Sequence, residues 1–177
     1  MKQFAMPAEP KYFIRAGLPV YSVDCIHKSK RAFMPKVVFF VLHDTGGRDS
    51  RQELYDSPRR VSVHYLVGSY HNYHMPIVIK YMSEFEHTCY GAGYGKLGGV
   101  PVNLNAVSVQ FELELQDMNL ATMDAFAATV GQSMRIWRNK GSEIVLIGHK
   151  HVDARKRDPR FDWNEMCSDI YKYADRL

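Results

Sequence analysis

Apolar residues along this chain follow two spacings, one with the period of a strand and one with the period of a helix. Short apolar runs rich in β-branched and aromatic residues predict strands. The predicted strands cover residues 37–42, 61–67, 77–82, 107–115 and 144–147. Apolar residues at three- and four-residue steps predict a long helix at 120–138 and a final helix that begins at Asp162.

The order of these elements in the second half of the chain predicts the fold class. Strand 107–115, helix 120–138 and strand 144–147 follow one another directly, a unit whose two strands run parallel. Asp162 and Glu165 give the final helix an N-cap and a capping-box partner. We therefore expect an α/β fold, a single domain in which a mixed central β-sheet is flanked by α-helices.

Prolines interrupt the first part of the chain, where they prevent any long regular element. They stand at Pro7, Pro10, Pro19 and Pro35. We therefore expect residues 1–36 to form an N-terminal arm packed on a domain that comprises residues 37–177.

Length and composition agree with one globular domain, since 177 residues with 46% hydrophobic and 24% charged positions can bury a sizeable core. No apolar run approaches the roughly 20 residues of a membrane span. Residues 1–10 lack the features of a secretory signal, so we expect a protein made in the cytoplasm. The three widely spaced cysteines are expected to be reduced thiols.

The formal net charge of +4 could attract an anionic partner such as a nucleic acid, a lipid or an acidic cell-wall polymer. The basic residues cluster only at 28–31 and 155–157, and no nucleic-acid-binding motif accompanies them. We therefore expect no nucleic-acid partner.

Candidate chemistry lies where two buried strands end. His43 and Asp44 follow the first strand, before Gly46 and Gly47. Residues 149–158, with two histidines, two aspartates and four basic residues, follow the strand that ends at Ile147. Histidine nitrogens and aspartate oxygens are a ligand set that suits zinc. The alternative is a charged surface loop with no metal-binding role.

Other polar residues leave alternatives open. His71 and His74, in a predicted hairpin loop, and His87 with Cys89 could also bind a metal, whereas His64 is expected to be a hydrogen-bonded core histidine. The five glycines within residues 91–99 predict an irregular loop that lines a substrate.

One polar face of strand 107–115 is of particular interest. Its members are Ser108, Gln110, Glu112 and Glu114. This face is either exposed to solvent or lines a cleft in which a glutamate is available for proton transfer.

Four motifs in this order resemble those of one enzyme family. They are His43-Asp44-Thr45, residues 62–67, residues 105–114, and Gly148-His149 continuing to Lys156-Arg157-Asp158-Pro159 and Phe161-Asp162-Trp163. The chain resembles the zinc-dependent N-acetylmuramoyl-L-alanine amidases of the type-2 family, which is related to the peptidoglycan-recognition proteins. The resemblance covers about residues 37–177.

The resemblance implies a zinc site and its catalytic partners. The zinc ligands of the family fall on His43, His149 and Asp158, which leave a fourth position for a water that zinc acidifies to a pKa of about 7. The family's general base falls on Glu112, because Val63 replaces the tyrosine that other members use. The lysine that stabilises the tetrahedral oxyanion falls on Lys156.

The chain also departs from the family pattern. Tyr90-Gly91-Ala92-Gly93 replaces the usual Trp-His-Ala-Gly, residues 70–75 replace an Asp-Gly hairpin, and His151 and Asp153 stand where a Pro-Gly pair is usual. These changes affect expected substrate contacts more than metal binding.

The implied function is peptidoglycan hydrolysis at the amide bond between the lactyl group of N-acetylmuramic acid and L-alanine. A phage-type endolysin that acts on the cell wall after release fits the basic charge and the altered loops. A cytosolic wall-recycling amidase and a non-catalytic peptidoglycan-binding module on the same fold are the alternatives. The sequence leaves the oligomeric state open.

Overall fold

A computed structural model describes residues 4–14, 17–45, 50–56, 58–69, 75–114 and 118–175. The strands are β1 (Tyr12–Ile14), β2 (Leu18–Ser22), β3 (Ser29–Lys30), β4 (Val37–Asp44), β5 (Tyr65–Ser69), β6 (Pro76–Lys80), β7 (His87–Thr88), β8 (Tyr94–Leu97), β9 (Val100–Asn103), β10 (Ser108–Leu113) and β11 (Glu143–Gly148). The helices are α1 (Ser50–Tyr55), α2 (Leu104–Val107), α3 (Leu120–Asn139) and α4 (Trp163–Asp175).

The central sheet has seven strands in the order β1-β2-β6-β5-β10-β4-β11. Strand β4 lies between β10 and β11 and is parallel to both, whereas β5 and β6 are antiparallel. Strands β10 and β11 therefore run in the same direction, with α3 between them in the chain, as the sequence predicts. The expected α/β class with a mixed sheet is confirmed.

Strand alternation divides the sheet into a helix-covered face and a second face that carries the site. Phe40 and Phe111 pack against the helices, with ring centroids 5.1 Å apart. Val41, one residue on from Phe40, belongs to a separate cluster with Leu104 of α2. Because side chains alternate along a strand, His43 shares its face with Val41, away from the long helices.

The two long helices pack closely on the covered face. A Cβ atom added to Gly131 of α3 would lie 2.6 Å from the carbonyl oxygen of Ile170 in α4, so only glycine permits this approach. Trp137 of α3 is completely buried, and truncating such a side chain typically costs about 3–5 kcal/mol. The predicted N-cap of α4 is present, since Asp162 Oδ1 accepts a 2.9 Å hydrogen bond from the Glu165 amide.

The segment before residue 37 contributes strands to the sheet. Strand β2 runs parallel to β6, and β1 adds outside β2 in antiparallel register. Pro19 lies within β2, opposite Phe13. The short strand β3 pairs with β7 in a small separate sheet.

The prediction of an irregular loop at residues 91–99 holds for residues 91–93, which lie in no helix or strand, and is wrong for residues 94–99. Strands β8 and β9 form an antiparallel hairpin there. Gly98 and Gly99 at its tip have φ angles of 56° and 84°, and two consecutive positive φ angles suit a tight two-residue turn. The predicted strand at 61–67 also shifts, because β5 begins only at Tyr65 and extends to Ser69.

Candidate active site

Parallel strand ends place the candidate side chains at one edge of the sheet. His43 is the next-to-last residue of β4 and lies in register with Glu112 of β10. Gly148 of β11 lies in register with Leu42, and His149 follows immediately. Three neighbouring parallel strands therefore deliver two imidazoles and a carboxyl group to the same end, where open α/β sheets commonly hold their ligands.

Two imidazole nitrogens converge on one carboxylate oxygen. His43 Nδ1 lies 3.0 Å from Asp158 Oδ2, and His149 Nδ1 lies 3.2 Å from the same oxygen. Ligands at 2.0–2.1 Å from a tetrahedral zinc are roughly 3.3 Å apart, close to both separations. In the described part of the chain, these three residues are also the one group of three or more histidine, cysteine or acidic residues that could hold a metal ion, with ligand atoms all within 4.8 Å of one another. The donor set and its spacing therefore fit zinc.

Local backbone contacts bring Asp158 to the histidines. His149 begins a 3₁₀ turn that ends at His151, and the Lys150 amide donates a 2.7 Å hydrogen bond to the Asp158 carbonyl. A Cβ atom on Gly148 would lie 2.5 Å from Cδ of Pro159. A glycine at 148 therefore lets the loop fold back until Asp158 reaches His149.

An ion pair between a buried carboxylate and a half-exposed arginine holds the two ligand-bearing segments together. Asp44, next to His43, accepts hydrogen bonds from Nε of Arg160 at 3.0 Å, from its Nη2 at 2.7 Å and from its backbone amide. The Asp44 side chain is inaccessible to solvent, whereas that of Arg160 is 46% exposed. Both guanidinium nitrogens donate to Oδ1 of Asp44, and the backbone amide of Arg160 donates to Oδ2. These contacts fix the loop after Asp158 against the end of β4.

Burial and hydrogen bonding set the charge states of the ligand group. Removal from water lowers the pKa of His43, which favours the neutral imidazole. Burial opposes ionisation of Asp158, but hydrogen bonds from His149 and His43 outweigh it and hold the pKa of Asp158 well below its usual range. Neutral imidazole and anionic carboxylate are the forms that bind a metal.

Glu112 lies in the same cleft in a different environment. Removal from water, followed by the negative charges of Asp158 and Asp44, raises the pKa of Glu112 to about 8. A bound divalent cation would lower this pKa, because its charge favours the carboxylate. Glu112 is thus a carboxyl group whose proton affinity responds to metal binding.

The cleft has a basic rim. Its volume is about 350 Å³, and Lys156, Arg157 and Arg160 line it together with the ligand group and Glu112. Lys156 is exposed and can reach toward a bound anion. Gly91, at the position of the usual family histidine, also lines the cleft and places no side chain in it.

Glu114 has a structural environment unlike that of Glu112. Its buried carboxylate accepts hydrogen bonds from Arg51 Nε at 3.0 Å, from Arg51 Nη2 at 2.6 Å and from Ser50 Oγ at 3.0 Å. Glu114 therefore anchors α1 to the end of β10. Alternation alone assigns both glutamates to one face and cannot separate these environments.

The remaining candidate histidines lie elsewhere. His64 is a buried core histidine, as predicted: its Nδ1 accepts from the Gln110 amide at 3.1 Å, and its Nε2 lies 3.2 Å from the His87 carbonyl. His151 Nδ1 accepts from the Gly148 amide at 3.0 Å, which turns that nitrogen away from the ligand group. His71 and His74, like the turn at Gly46 and Gly47, lie outside the described residues.

Sequence reasoning missed the ion pair between Asp44 and Arg160. Both are visible as charged neighbours of candidate ligands, Asp44 beside His43 and Arg160 two residues after Asp158. Nothing in their separation along the chain indicates that they pair.

Comparison with known proteins identifies the family of the chain. Residues 33–161 match the model of the N-acetylmuramoyl-L-alanine amidase family. The chain therefore belongs to this amidase family. No curated protein sequence matches it. In the part of the chain that the structure describes, no helix is long and apolar enough to cross a membrane.

Solved structures share the fold at low sequence identity. An AmpD derivative has a TM-score of 0.63 and 21% identity, over 84% of this chain and 93% of the other. AmiD from E. coli, solved with an anhydro-N-acetylmuramic acid peptide substrate, has a TM-score of 0.58 and 20% identity, over 80% of this chain and 60% of the other. A mutant endolysin from Bacillus subtilis has a TM-score of 0.55 and 17% identity, over 86% and 99%.

Proposed function

We propose that the chain is a zinc-dependent peptidoglycan amidase that hydrolyses the bond between the lactyl carbonyl of N-acetylmuramic acid and the amino group of L-alanine. The observation that carries this proposal is the convergence of His43 Nδ1, His149 Nδ1 and Asp158 Oδ2 in the cleft that also holds Glu112. Membership of the N-acetylmuramoyl-L-alanine amidase family supports the choice of this bond as the one that is cleaved.

His43, His149 and Asp158 would hold the metal. When bound, zinc acts as a Lewis acid and makes water acidic enough to react near neutral pH. The Asp44–Arg160 ion pair keeps the segments that bear His43 and Asp158 in place while substrate enters and leaves.

Glu112 is the proposed general base. Its carboxylate accepts a proton from the attacking water and later delivers that proton to the leaving nitrogen of L-alanine. Metal binding prepares Glu112 for this role, because the added positive charge favours the carboxylate that accepts the proton.

Lys156 is the proposed electrostatic partner of the reacting carbonyl. Its ammonium group, on the exposed rim of the cleft, donates hydrogen bonds to the carbonyl oxygen as negative charge develops there. Arg157 and Arg160 add positive potential to the same rim, which favours an acidic peptide stem over a neutral one.

The deciding experiment is digestion of purified peptidoglycan, followed by mass spectrometry of the soluble products. We expect free peptide stems with an N-terminal L-alanine. These products should disappear when a chelator removes zinc and should return when zinc is added back. Glu112→Gln serves as the matched inactive variant. Products cut within the glycan or within the peptide would contradict the proposal, and binding without products would favour the non-catalytic module.

An endolysin role is the proposed setting. The net charge of +4 favours an anionic cell wall, and the structural relatives include a Bacillus subtilis endolysin. A cytosolic wall-recycling amidase is the alternative. An endolysin should lower the turbidity of permeabilised cells, whereas a recycling enzyme should act on soluble muropeptides and leave turbidity unchanged.

A further inference from the structure

A second concave site lies beside the catalytic cleft. It has a volume of about 330 Å³, within the range of roughly 300–1,000 Å³ for small-molecule sites. We name it the aromatic pocket, and its principal lining residues are Lys30, Phe33, Tyr90, Tyr94, Asn103 and Asn105.

The aromatic pocket exposes three large rings to solvent. Phe33 is 56% exposed, Tyr90 is 37% exposed and Tyr94 is 74% exposed. An isolated exposed aromatic residue needs no explanation, but three around one cavity form an apolar surface of the kind that marks a binding site. Aromatic faces attract polarised C–H groups, and such groups cover the faces of a sugar ring.

Amide groups complete the lining. Asn103 lies in register with Tyr94 across the β8–β9 hairpin and donates a 3.4 Å hydrogen bond to its hydroxyl. The Oδ1 of Asn105 accepts from the Gly93 amide at 2.8 Å, and within the described residues its Nδ2 has no hydrogen-bond partner. Side-chain amides offer both donors and acceptors, which suits hydroxyl and acetamido groups.

The charge of the aromatic pocket disfavours other ligand classes. Among the described residues, Lys30 is the one charged residue that lines it, and no carboxylate does so. A nucleic-acid strand requires a positively charged groove that follows its backbone, and one lysine does not supply that. A neutral, hydroxyl-rich ligand requires no such groove.

Two connections link the aromatic pocket to the catalytic cleft. Tyr90 lines the pocket and its neighbour Gly91 lines the cleft. Asn105 lines the pocket and contacts Gln110, whose Oε1 occupies the space beside Gly91 that a side chain at position 91 would need. A ligand chain could therefore extend from one site to the other.

We infer that the aromatic pocket binds an N-acetylated sugar of a glycan strand next to the muramoyl residue that is cleaved. This inference rests on the proposed amidase function for its position in the substrate, although sugar binding can be measured without catalysis. The occupant is a neighbouring sugar of the polymer, so the pocket should raise activity on polymeric peptidoglycan relative to a small muropeptide.

Binding is tested by calorimetric titration of the zinc-loaded protein with chitotetraose. Tyr94→Ala should weaken binding by about 2- to 12-fold, the loss expected for one aromatic contact of 0.5–1.5 kcal/mol. Asn103→Leu should weaken binding as well, because leucine has a similar size to asparagine but lacks its amide group. Tyr171→Ala removes a tyrosine with 41% exposure on α4 and is the matched control, with unchanged binding.

Activity is tested on two substrates, polymeric peptidoglycan and N-acetylmuramoyl-L-alanyl-D-isoglutamine. Tyr94→Ala should lower kcat/KM on the polymer and leave kcat/KM on the dipeptide substrate unchanged. Wild-type protein that does not bind chitotetraose, or equal losses on both substrates, would overturn the inference. If wild-type protein binds chitotetraose but cleaves neither substrate, the amidase proposal fails while the sugar site stands.

Discussion

The Asp44–Arg160 ion pair supports a prediction in which its two partners are not equivalent. Asp44 is buried without solvent access, whereas Arg160 is nearly half exposed. Arg160→Ala leaves a buried carboxylate with the backbone amide of residue 160 as its remaining partner from this contact. Asp44→Asn leaves instead a guanidinium group that water can reach. Removal of the exposed partner should therefore cost more stability than neutralisation of the buried one.

The magnitudes follow from the hydrogen bonds that each change removes. Arg160→Ala deletes two hydrogen bonds to a charged group, each worth about 1.5–3 kcal/mol, and breaking a buried pair typically costs about 3–5 kcal/mol. Water can enter the space left by the half-exposed arginine, so we expect a loss of about 3 kcal/mol. Asp44→Asn should lower the free energy of unfolding by about 1–2 kcal/mol, since the one oxygen of its neutral amide still accepts either from the guanidinium group or from the backbone amide of residue 160, but not from both.

Thermal unfolding of the metal-free protein measures this difference. At about 2–4 °C per kcal/mol for a chain of this size, Arg160→Ala should lower Tm by about 6–12 °C and Asp44→Asn by about 2–8 °C. The double variant should be destabilised by less than the sum, because the two residues contact each other. Zinc affinity, measured by competition with a chelator, should fall about 10- to 100-fold in both single variants.

Several outcomes would refute the reasoning. An Asp44→Asn variant less stable than Arg160→Ala would show that the buried charge is not the costly group. Strictly additive effects would show that the contact has no energetic importance. Unchanged zinc affinity would show that the ion pair does not position the ligands.

Three further predictions concern the candidate site. His149→Ala should lose zinc, whereas His151→Ala should keep one zinc per chain, and elemental analysis that finds the reverse would contradict the ligand set. Glu112→Gln should keep zinc and lose activity by about 10²- to 10⁴-fold, whereas Glu114→Gln should chiefly lower Tm because its carboxylate anchors Arg51. In metal-free protein, the Glu112 pKa of about 8 means that the folded state retains a proton released by the unfolded chain above its ordinary pKa of 4.5. Stability of the wild type relative to Glu112→Gln should therefore fall as pH rises from about 5 to 8, and a constant difference in Tm over that range would refute this assignment.

The sequence predicts those parts of the fold that rest on local periodicity. Strand β10 alternates as expected, and helix α3 starts at Leu120 as its apolar spacing predicts. The strands before residue 37 are not predicted, because prolines favour interruption and β1 has only three residues. The β8–β9 hairpin is missed because glycines signal flexibility in general, whereas the two positive φ angles that make the turn are visible only in the structure.

The ligand group is predictable for a different reason, because the order of its residues in the chain matches a family pattern. Its geometry depends instead on strand register. His43, Glu112 and His149 meet because β4 lies between β10 and β11, with all three strands parallel. A contact between residues far apart in the sequence leaves no comparable pattern in the order of residues. The pairing of Asp44 with Arg160 depends on where the loop after Gly148 turns back, and no periodicity records that turn.

Glu112 and Glu114 show where periodicity stops being informative about chemistry. Successive same-face residues of a strand are about 6–7 Å apart, so two glutamates on one face can meet different surroundings. Glu112 lies opposite His43 and faces the cleft, where removal from water and then the neighbouring carboxylates raise its pKa. Glu114 lies just beyond the end of β10, where Arg51 and Ser50 of α1 satisfy its carboxylate. The neighbouring elements, rather than the strand itself, therefore decide which glutamate can transfer a proton.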